Sequence, residues 1–147
     1  MKKSRLVMVG NGMAGVRSLE ELLKIAPDLY DITVFGAEPH PNYNRILLSP
    51  VLAGEQTIDE IILNDWQWYA DNHITLHTGF TVTDVDRVRR IVHATSATGE
   101  TITAEYDRLI MATGSNPFIL PIPGKELQGV LAYRDIADTQ AMIDAAT

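Results

Sequence analysis

Gly10, Gly12 and Gly15 stand at the spacing GxGxxG inside VMVGNGMAGV, Val7 to Val16. Glycines so placed can build a cradle for a pyrophosphate: the first permits a tight turn out of a strand, the second lets a phosphate approach the backbone, and the third lets helix and strand pack closely. A helix starting inside the motif would turn free N–H groups and a partial positive charge toward the phosphates. Alone, the pattern also describes a flexible bend, so its surroundings decide its meaning. Glu38 lies 23 residues beyond Gly15, close to the roughly 20 expected of an acid that accepts hydrogen bonds from a ribose 2′-hydroxyl. A carboxylate there suits an adenosine ribose with a free 2′-hydroxyl and repels a 2′-phosphate. FAD and NAD are compatible with it, and NADP is not.

The flanking pattern predicts the elements that would position these residues. Arg5 to Val9 is short, apolar and closed by glycine, as in a strand buried on both faces of a parallel sheet. From Met13 the apolar residues Val16, Leu19, Leu22, Leu23 and Ala26 recur at three-and-four spacing, with Arg17, Ser18, Glu20, Glu21 and Lys24 between them, which predicts an amphipathic helix ending at Pro27. Ile32 to Phe35 is rich in β-formers and stops at Gly36, completing a βαβ unit that should cross over right-handed.

Pro39, Pro41, Asn42 and Asn44 then predict a long non-helical loop. Trp66 to Ala70 reads as a short helix capped by Asn64 or Asp65. The runs Ile74 to Phe80, Thr81 to Val85, Ile91 to Ala94 and Thr101 to Ala104 alternate in a β pattern and are spaced as a small antiparallel meander, with Thr98-Gly99 as its clearest turn. Leu109 to Ala112 returns to a buried strand, Pro117 to Gly124 is irregular, and Asp135 to Ala146 begins another helix. The expected fold class is α/β, with a central parallel sheet and a small antiparallel β meander.

Composition narrows the chemistry. With 147 residues, 46% hydrophobic, the chain is about the size of one domain. A net charge of -7 argues against a nucleic-acid partner. The lack of cysteine removes disulfides, thiolate zinc sites and iron–sulfur ligation from these residues. The apolar run Leu6 to Val9 is too short for a signal core, nothing spans a membrane, and a cytoplasmic protein is expected. His40, His73, His77 and His93 form no HxxxH pair, so no metal site is expected. Trp66, Trp68 and Tyr69 read as core and loop anchors, and Arg87, Arg89 and Arg90 as a solvated hairpin edge. No Ser-His-Asp or paired-carboxylate arrangement stands out, so no catalytic residue is assigned.

A second motif separates FAD from NAD. YDRLIMATGSNP, Tyr106 to Pro117, carries a hydrophobic strand ending in Ala112-Thr113-Gly114 behind the β meander. With the GxGxxG and the acid after the second strand, this resembles the two-dinucleotide-fold flavoprotein reductases of the pyridine nucleotide-disulfide oxidoreductase superfamily. EPHPNYNRILLSPVLAGE, Glu38 to Glu55, further resembles the N-terminal FAD domain of the assimilatory NAD(P)H-dependent nitrite reductase large subunits, over essentially the whole chain. The resemblance implies a Rossmann-like FAD-binding fold. It matches Gly10, Gly12, Met13, Ala14 and Gly15 to the pyrophosphate loop, Glu38 to the ribose acid, Arg45 to an arginine near the adenosine diphosphate, and Thr113 and Gly114 to the segment closing over the cofactor. A guanidinium such as that of Arg45 can pair bidentately with phosphate or stack on adenine. By analogy with related reductases, Val82 would offer backbone hydrogen bonds to the adenine edge. Related rubredoxin and ferredoxin reductases commonly carry a lysine after the loop's Leu-Ser, whereas this chain has Leu48-Ser49-Pro50, which favours the nitrite-reductase branch.

The resemblance also implies parts that these residues do not contain: an NAD(P)H-binding fold with its own glycine fingerprint, a Gly-Asp motif near the flavin ribitol, and cysteines for an iron–sulfur cluster and sirohaem. The expectation is therefore that residues 1–134 are the first part of an FAD-binding domain and 135–147 the start of a connecting helix in a longer subunit. That subunit would carry electrons from NAD(P)H through FAD toward sirohaem, reducing nitrite to ammonia, with a small nitrite reductase subunit or further copies of itself as partners. The alternatives are a flavoprotein reductase serving rubredoxin or ferredoxin, and a non-catalytic adenine-nucleotide-binding module.

Overall fold

In the computed structural model, which describes residues 2–147, the chain follows the order β1 (Ser4–Val9), α1 (Met13–Ile25), β2 (Tyr30–Gly36), a 3-10 turn (Arg45–Leu47), α2 (Leu48–Leu52), a second 3-10 turn (Asp59–Ile61), α3 (Trp66–Asp71), β3 (Thr75–Thr78), β4 (Phe80–Asp86), β5 (Ile91–Ser96), β6 (Thr101–Glu105), β7 (Arg108–Met111) and α4 (Ile136–Ala146). These elements gather into two compact units. One comprises Met1–Tyr43 and Leu63–Gly114, the other Asn44–Ile62 and Ser115–Thr147.

The first unit is organised by β1. Its neighbours are parallel on both sides, in the four-stranded order β3-β2-β1-β7, with Val9 in register with Phe35 of β2 and Met111 of β7. Because side chains alternate along a strand, Leu6 and Met8 join one buried cluster with Val16 and Leu19 of α1, while Val7 and Val9 join another with Val92 and Ala94 of β5. One face of the sheet is thus covered by α1 and the other by β4-β5-β6, a three-stranded antiparallel sheet. Burial on both faces explains why β1 reads as an unbroken apolar run.

The run Ile74 to Phe80 departs from expectation. Thr75–Thr78 lies parallel to β2, with Thr33 opposite Thr75 and Gly36 opposite Thr78, so β3 belongs to the central sheet and only β4, β5 and β6 form the meander. Period-2 alternation looks the same in both settings. The two are separated by Gly79, whose φ of +71° turns the chain before β4. His77 on β3 stacks on Phe35 at 5.1 Å and meets Phe80 edge-on at 6.1 Å, and burial pulls its pKa down. Asp65 rather than Asn64 caps α3, accepting from the Trp68 N–H at 2.8 Å. On that helix Tyr69 is buried and Trp68 packs on the core, but Trp66 is a surface residue, 53% exposed, and not an anchor.

In the second unit, α2 lies against α4, with Leu48, Val51, Ile136 and Thr139 buried. Asp135 caps α4 through a capping box with Asp138. Among the described residues, no helix is long and apolar enough to cross a membrane.

Candidate functional site

The carboxyl end of β1 is where the strand order diverges, β2 lying on one side and β7 on the other. In open α/β sheets such a switch point opens a crevice for ligands. Gly10 turns the chain there at φ +106°, its N–H donating to the Phe35 carbonyl at 2.8 Å. A Cβ on Gly10 would stand 2.0 Å from the Ala112 carbonyl oxygen and 3.3 Å from the Thr113 nitrogen. The glycine loop and the Ala112-Thr113-Gly114 segment therefore touch, and only glycine permits it.

Gly12 and Gly15 do different work. Gly15 is buried in α1, where a Cβ would come within 2.9 Å of the Ala112 Cβ and 3.0 Å of the Met8 sulfur. It sets the close approach of helix to sheet. Gly12 is the N-cap of α1, in extended conformation with no side-chain cap, and a Cβ on it would meet nothing within 4 Å. Among the described residues, nothing requires a glycine there. The first turn, containing Met13 and Ala14, carries no acidic residue, so the positive end of the helix dipole meets no carboxylate of its own turn. Open space before an uncapped helix start fits a pyrophosphate group.

Glu38 follows β2 on a loop held at several points. Its carbonyl accepts from Gly79 N–H at 3.2 Å, and its Oε2 accepts from the Tyr43 hydroxyl at 2.6 Å. Asn11, inside the glycine motif, donates from Nδ2 to the His40 carbonyl at 3.3 Å and accepts from the Tyr69 hydroxyl on Oδ1 at 2.6 Å. That hydroxyl also accepts from the Asn42 N–H at 3.2 Å. The Tyr69 phenol, pushed up to about 12 chiefly by burial, stays protonated and links the glycine turn to the loop of Glu38. The relay continues from Asn42 Nδ2 to Asn64 and from Asn64 Nδ2 to Glu20, both at 2.9 Å. Gly36 leaves room for it, since a Cβ there would lie 2.9 Å from that of Asn11.

The structure thus brings Gly10 against Ala112 and Thr113 and Gly15 against Ala112, with Gly114 next in the chain at φ +66°, places Gly12, Met13 and Ala14 at the start of α1 between them, and ties that turn to the loop of Glu38 through Asn11. Val82 lies on the other face of the sheet's core, on β4 opposite Ala94, just before an irregularity in the ladder. Arg45 belongs to the second unit, where it opens a 3-10 turn and its Nη1 donates to the Arg134 carbonyl at 3.4 Å. Asn11 and Tyr43 escape a reading of the sequence, and Tyr69 reads there only as a core and loop anchor, which it is. Only a tyrosine inside a proline- and asparagine-rich loop hints that a hydroxyl will need a partner. Among the described residues, no three metal-ligating side chains converge.

Residues 4–147 match the family model described as pyridine nucleotide-disulphide oxidoreductase. The chain is 56% identical over 99% of its length to a nitrite reductase [NAD(P)H] of Bacillus subtilis. It is 52% identical, over the same share, to an assimilatory nitrate reductase electron transfer subunit of that organism. It spans 18% of the length of each of these relatives. Among solved structures, the NADH:rubredoxin oxidoreductase of Clostridium acetobutylicum matches 97% of this chain with a TM-score of 0.80 at 26% identity, the match covering 35% of that protein. The chain belongs to the pyridine nucleotide-disulphide oxidoreductase family, and its parallel sheet with a separate antiparallel layer is the Rossmann-like fold of flavoprotein reductases.

Proposed function

We propose that this chain holds the ADP half of FAD within an NAD(P)H-dependent nitrite reductase. In this reading the backbone from Gly10 to Gly15 cradles the pyrophosphate and Glu38 takes the adenosine ribose. Val82 offers its backbone to the adenine edge, Thr113 and Gly114 close over the cofactor, and Arg45 pairs with the diphosphate. Residues 1–134 are the first part of the FAD-binding domain and 135–147 lead toward an NAD(P)H-binding fold. Bound FAD supplies hydride acceptance from NAD(P)H and onward electron transfer, here toward a sirohaem and an iron–sulfur cluster outside these residues, where nitrite is reduced to ammonia. The chain's own groups bind and orient, and none performs acid–base chemistry. The whole protein works in the cytoplasm, with a small subunit or further copies of itself as partners.

The observation that carries this reading is Gly12, a helix-capping glycine with nothing within 4 Å of its would-be Cβ. The nitrite-reductase branch is supported by the 56% identity to a protein of that name. A second reading, a reductase delivering electrons to a small redox protein, is favoured by the relative named an electron transfer subunit and by the rubredoxin reductase fold. In the longer protein, nitrite-dependent NAD(P)H oxidation with a sirohaem absorption band supports the first, and rubredoxin-dependent oxidation without that band supports the second.

The cradle itself is tested on the 147-residue chain by calorimetric titration with ADP and FAD. The residues assigned above serve the ADP half, so the two affinities should agree within about tenfold and both be weak, the flavin finding few partners. A chain that purifies yellow with stoichiometric FAD, or binds FAD more than about a thousandfold tighter than ADP, a gap of roughly 4 kcal/mol, would show that these residues already contain a flavin pocket.

A further inference from the structure

We propose that Tyr43 is the positioning residue that gives Glu38 its selectivity for a free ribose 2′-hydroxyl, a role that rests on the reading of Glu38 as the ribose acid. The Tyr43 side chain is buried, with 5% of the residue exposed, and its hydroxyl donates to Glu38 Oε2 at 2.6 Å. That length is typical of a charge-assisted O–H to carboxylate bond, which is about twice as strong as a neutral one.

The backbone between the two residues is already fixed. The Glu38 carbonyl is held by Gly79, the His40 carbonyl by Asn11, and the Asn42 N–H by the Tyr69 hydroxyl. What the backbone cannot fix is the glutamate side chain, and every rotatable bond ordered before a ligand arrives is one that binding need not freeze. Freezing a glutamate side chain costs about a tenfold loss of affinity. The Tyr43 hydroxyl imposes that order in advance. It also holds the negative charge in one place, so that a ribose hydroxyl meets an aligned acceptor and a ligand lacking that hydroxyl forgoes the bond to it. A tyrosine serving only to fill the core would need its ring and not its hydroxyl.

The probes are ADP and 2′-deoxy-ADP, titrated into the wild-type chain, Tyr43→Phe and Glu38→Ala and followed by NMR. The wild type should bind ADP at least about tenfold tighter than 2′-deoxy-ADP. Tyr43→Phe should cut that preference to about threefold or less, through weaker ADP binding at unchanged 2′-deoxy-ADP affinity, because only the ordering contribution is lost. Glu38→Ala should abolish it. A Tyr43→Phe chain that keeps the full preference while Glu38→Ala loses it overturns the role of Tyr43 and leaves Glu38 as the ribose acid. Equal loss of both nucleotides in Tyr43→Phe assigns the hydroxyl to folding alone and overturns the proposal. A wild type without preference removes Glu38 from the ribose, and Tyr43 with it.

Discussion

At its amino end β1 presents Arg5, and the protein answers every part of it. The Arg5 N–H donates to Asp107 Oδ2 at 2.7 Å, its guanidinium grips both Asp107 oxygens at 3.1 and 3.2 Å and also pairs with Glu105, and its carbonyl accepts from the Asp107 N–H at 2.8 Å. At the carboxyl end of the same strand the chain turns through Gly10 into a helix with no side-chain cap and no acid in its first turn. One end of the strand is tied to the last residue of β6 and to the turn before β7, and the other leads to a glycine whose would-be Cβ meets nothing within 4 Å among the described residues. On the proposed reading the amino end serves stability alone while the carboxyl end also serves binding, and substitutions should separate the two.

The largest effect is expected at Gly10, where both functions coincide. Alanine there must place its Cβ 2.0 Å from a backbone oxygen at a φ of +106°. A backbone atom cannot swing aside as a side chain could, and such a φ is strained for any residue with a Cβ. Gly10→Ala should cost at least about 3 kcal/mol of folding stability, measured by urea unfolding. A variant within about 0.5 kcal/mol of wild type, the range of neutral surface changes, would show that the turn relaxes and that Gly10 is not needed for closure.

Gly12→Val should split the two properties. Its backbone is extended and its would-be Cβ meets nothing, so the cost to stability should be only about 1 kcal/mol, the difference between glycine and a branched residue at an N-cap. The branched side chain would fill the space proposed for the pyrophosphate. ADP affinity should fall by at least about a hundredfold, near 2.7 kcal/mol, in a chain that still unfolds cooperatively. Full ADP affinity in this variant would refute the cradle.

The contrast between the two ends also marks what the sequence makes legible. The unit β1-α1-β2 is readable because hydrophobic periodicity changes at the glycine motif and changes back after Pro27. β3 is not placed correctly, because alternation cannot distinguish an edge strand of a parallel sheet from a member of a meander, and the sharp turn at Gly79 lies inside one apparent run. The short helix Leu48–Leu52 covers too few residues to establish a period. At the site, Gly10, Gly12, Gly15 and Glu38 can be found because their spacing is local and motif-like. Asn11 and Tyr69 cannot, because their hydrogen bond joins residues 58 positions apart. Arg5, Glu105 and Asp107 are similarly silent, since charged residues at strand ends look alike whether solvated or paired.

The smallest effect belongs to the closed end. Arg5 holds the Asp107 carboxyl at about 2, first through the hydrogen bond from its side chain and then through that from its backbone N–H, against an ordinary value of 3.8. A carboxylate whose pKa is lowered by folding contributes stability that is complete above its unfolded value and is lost as protons bind the folded form. The contribution should therefore be intact above about pH 5 and disappear as pH falls from about 4 to about 2. Both side chains are about a third exposed, so water and salt screen the pair and the effect should be modest. In Asp107→Asn, the decline of the thermal midpoint between pH 4 and pH 2 should be shallower than in the wild type, and the difference should shrink in molar salt. ADP affinity at neutral pH should not change, because the pair lies at the end of β1 away from the glycine turn. Identical acid slopes in the two proteins would show that Arg5 and Asp107 do not stabilise the fold through charge. A loss of ADP affinity in Asp107→Asn would show that the two ends of β1 are coupled.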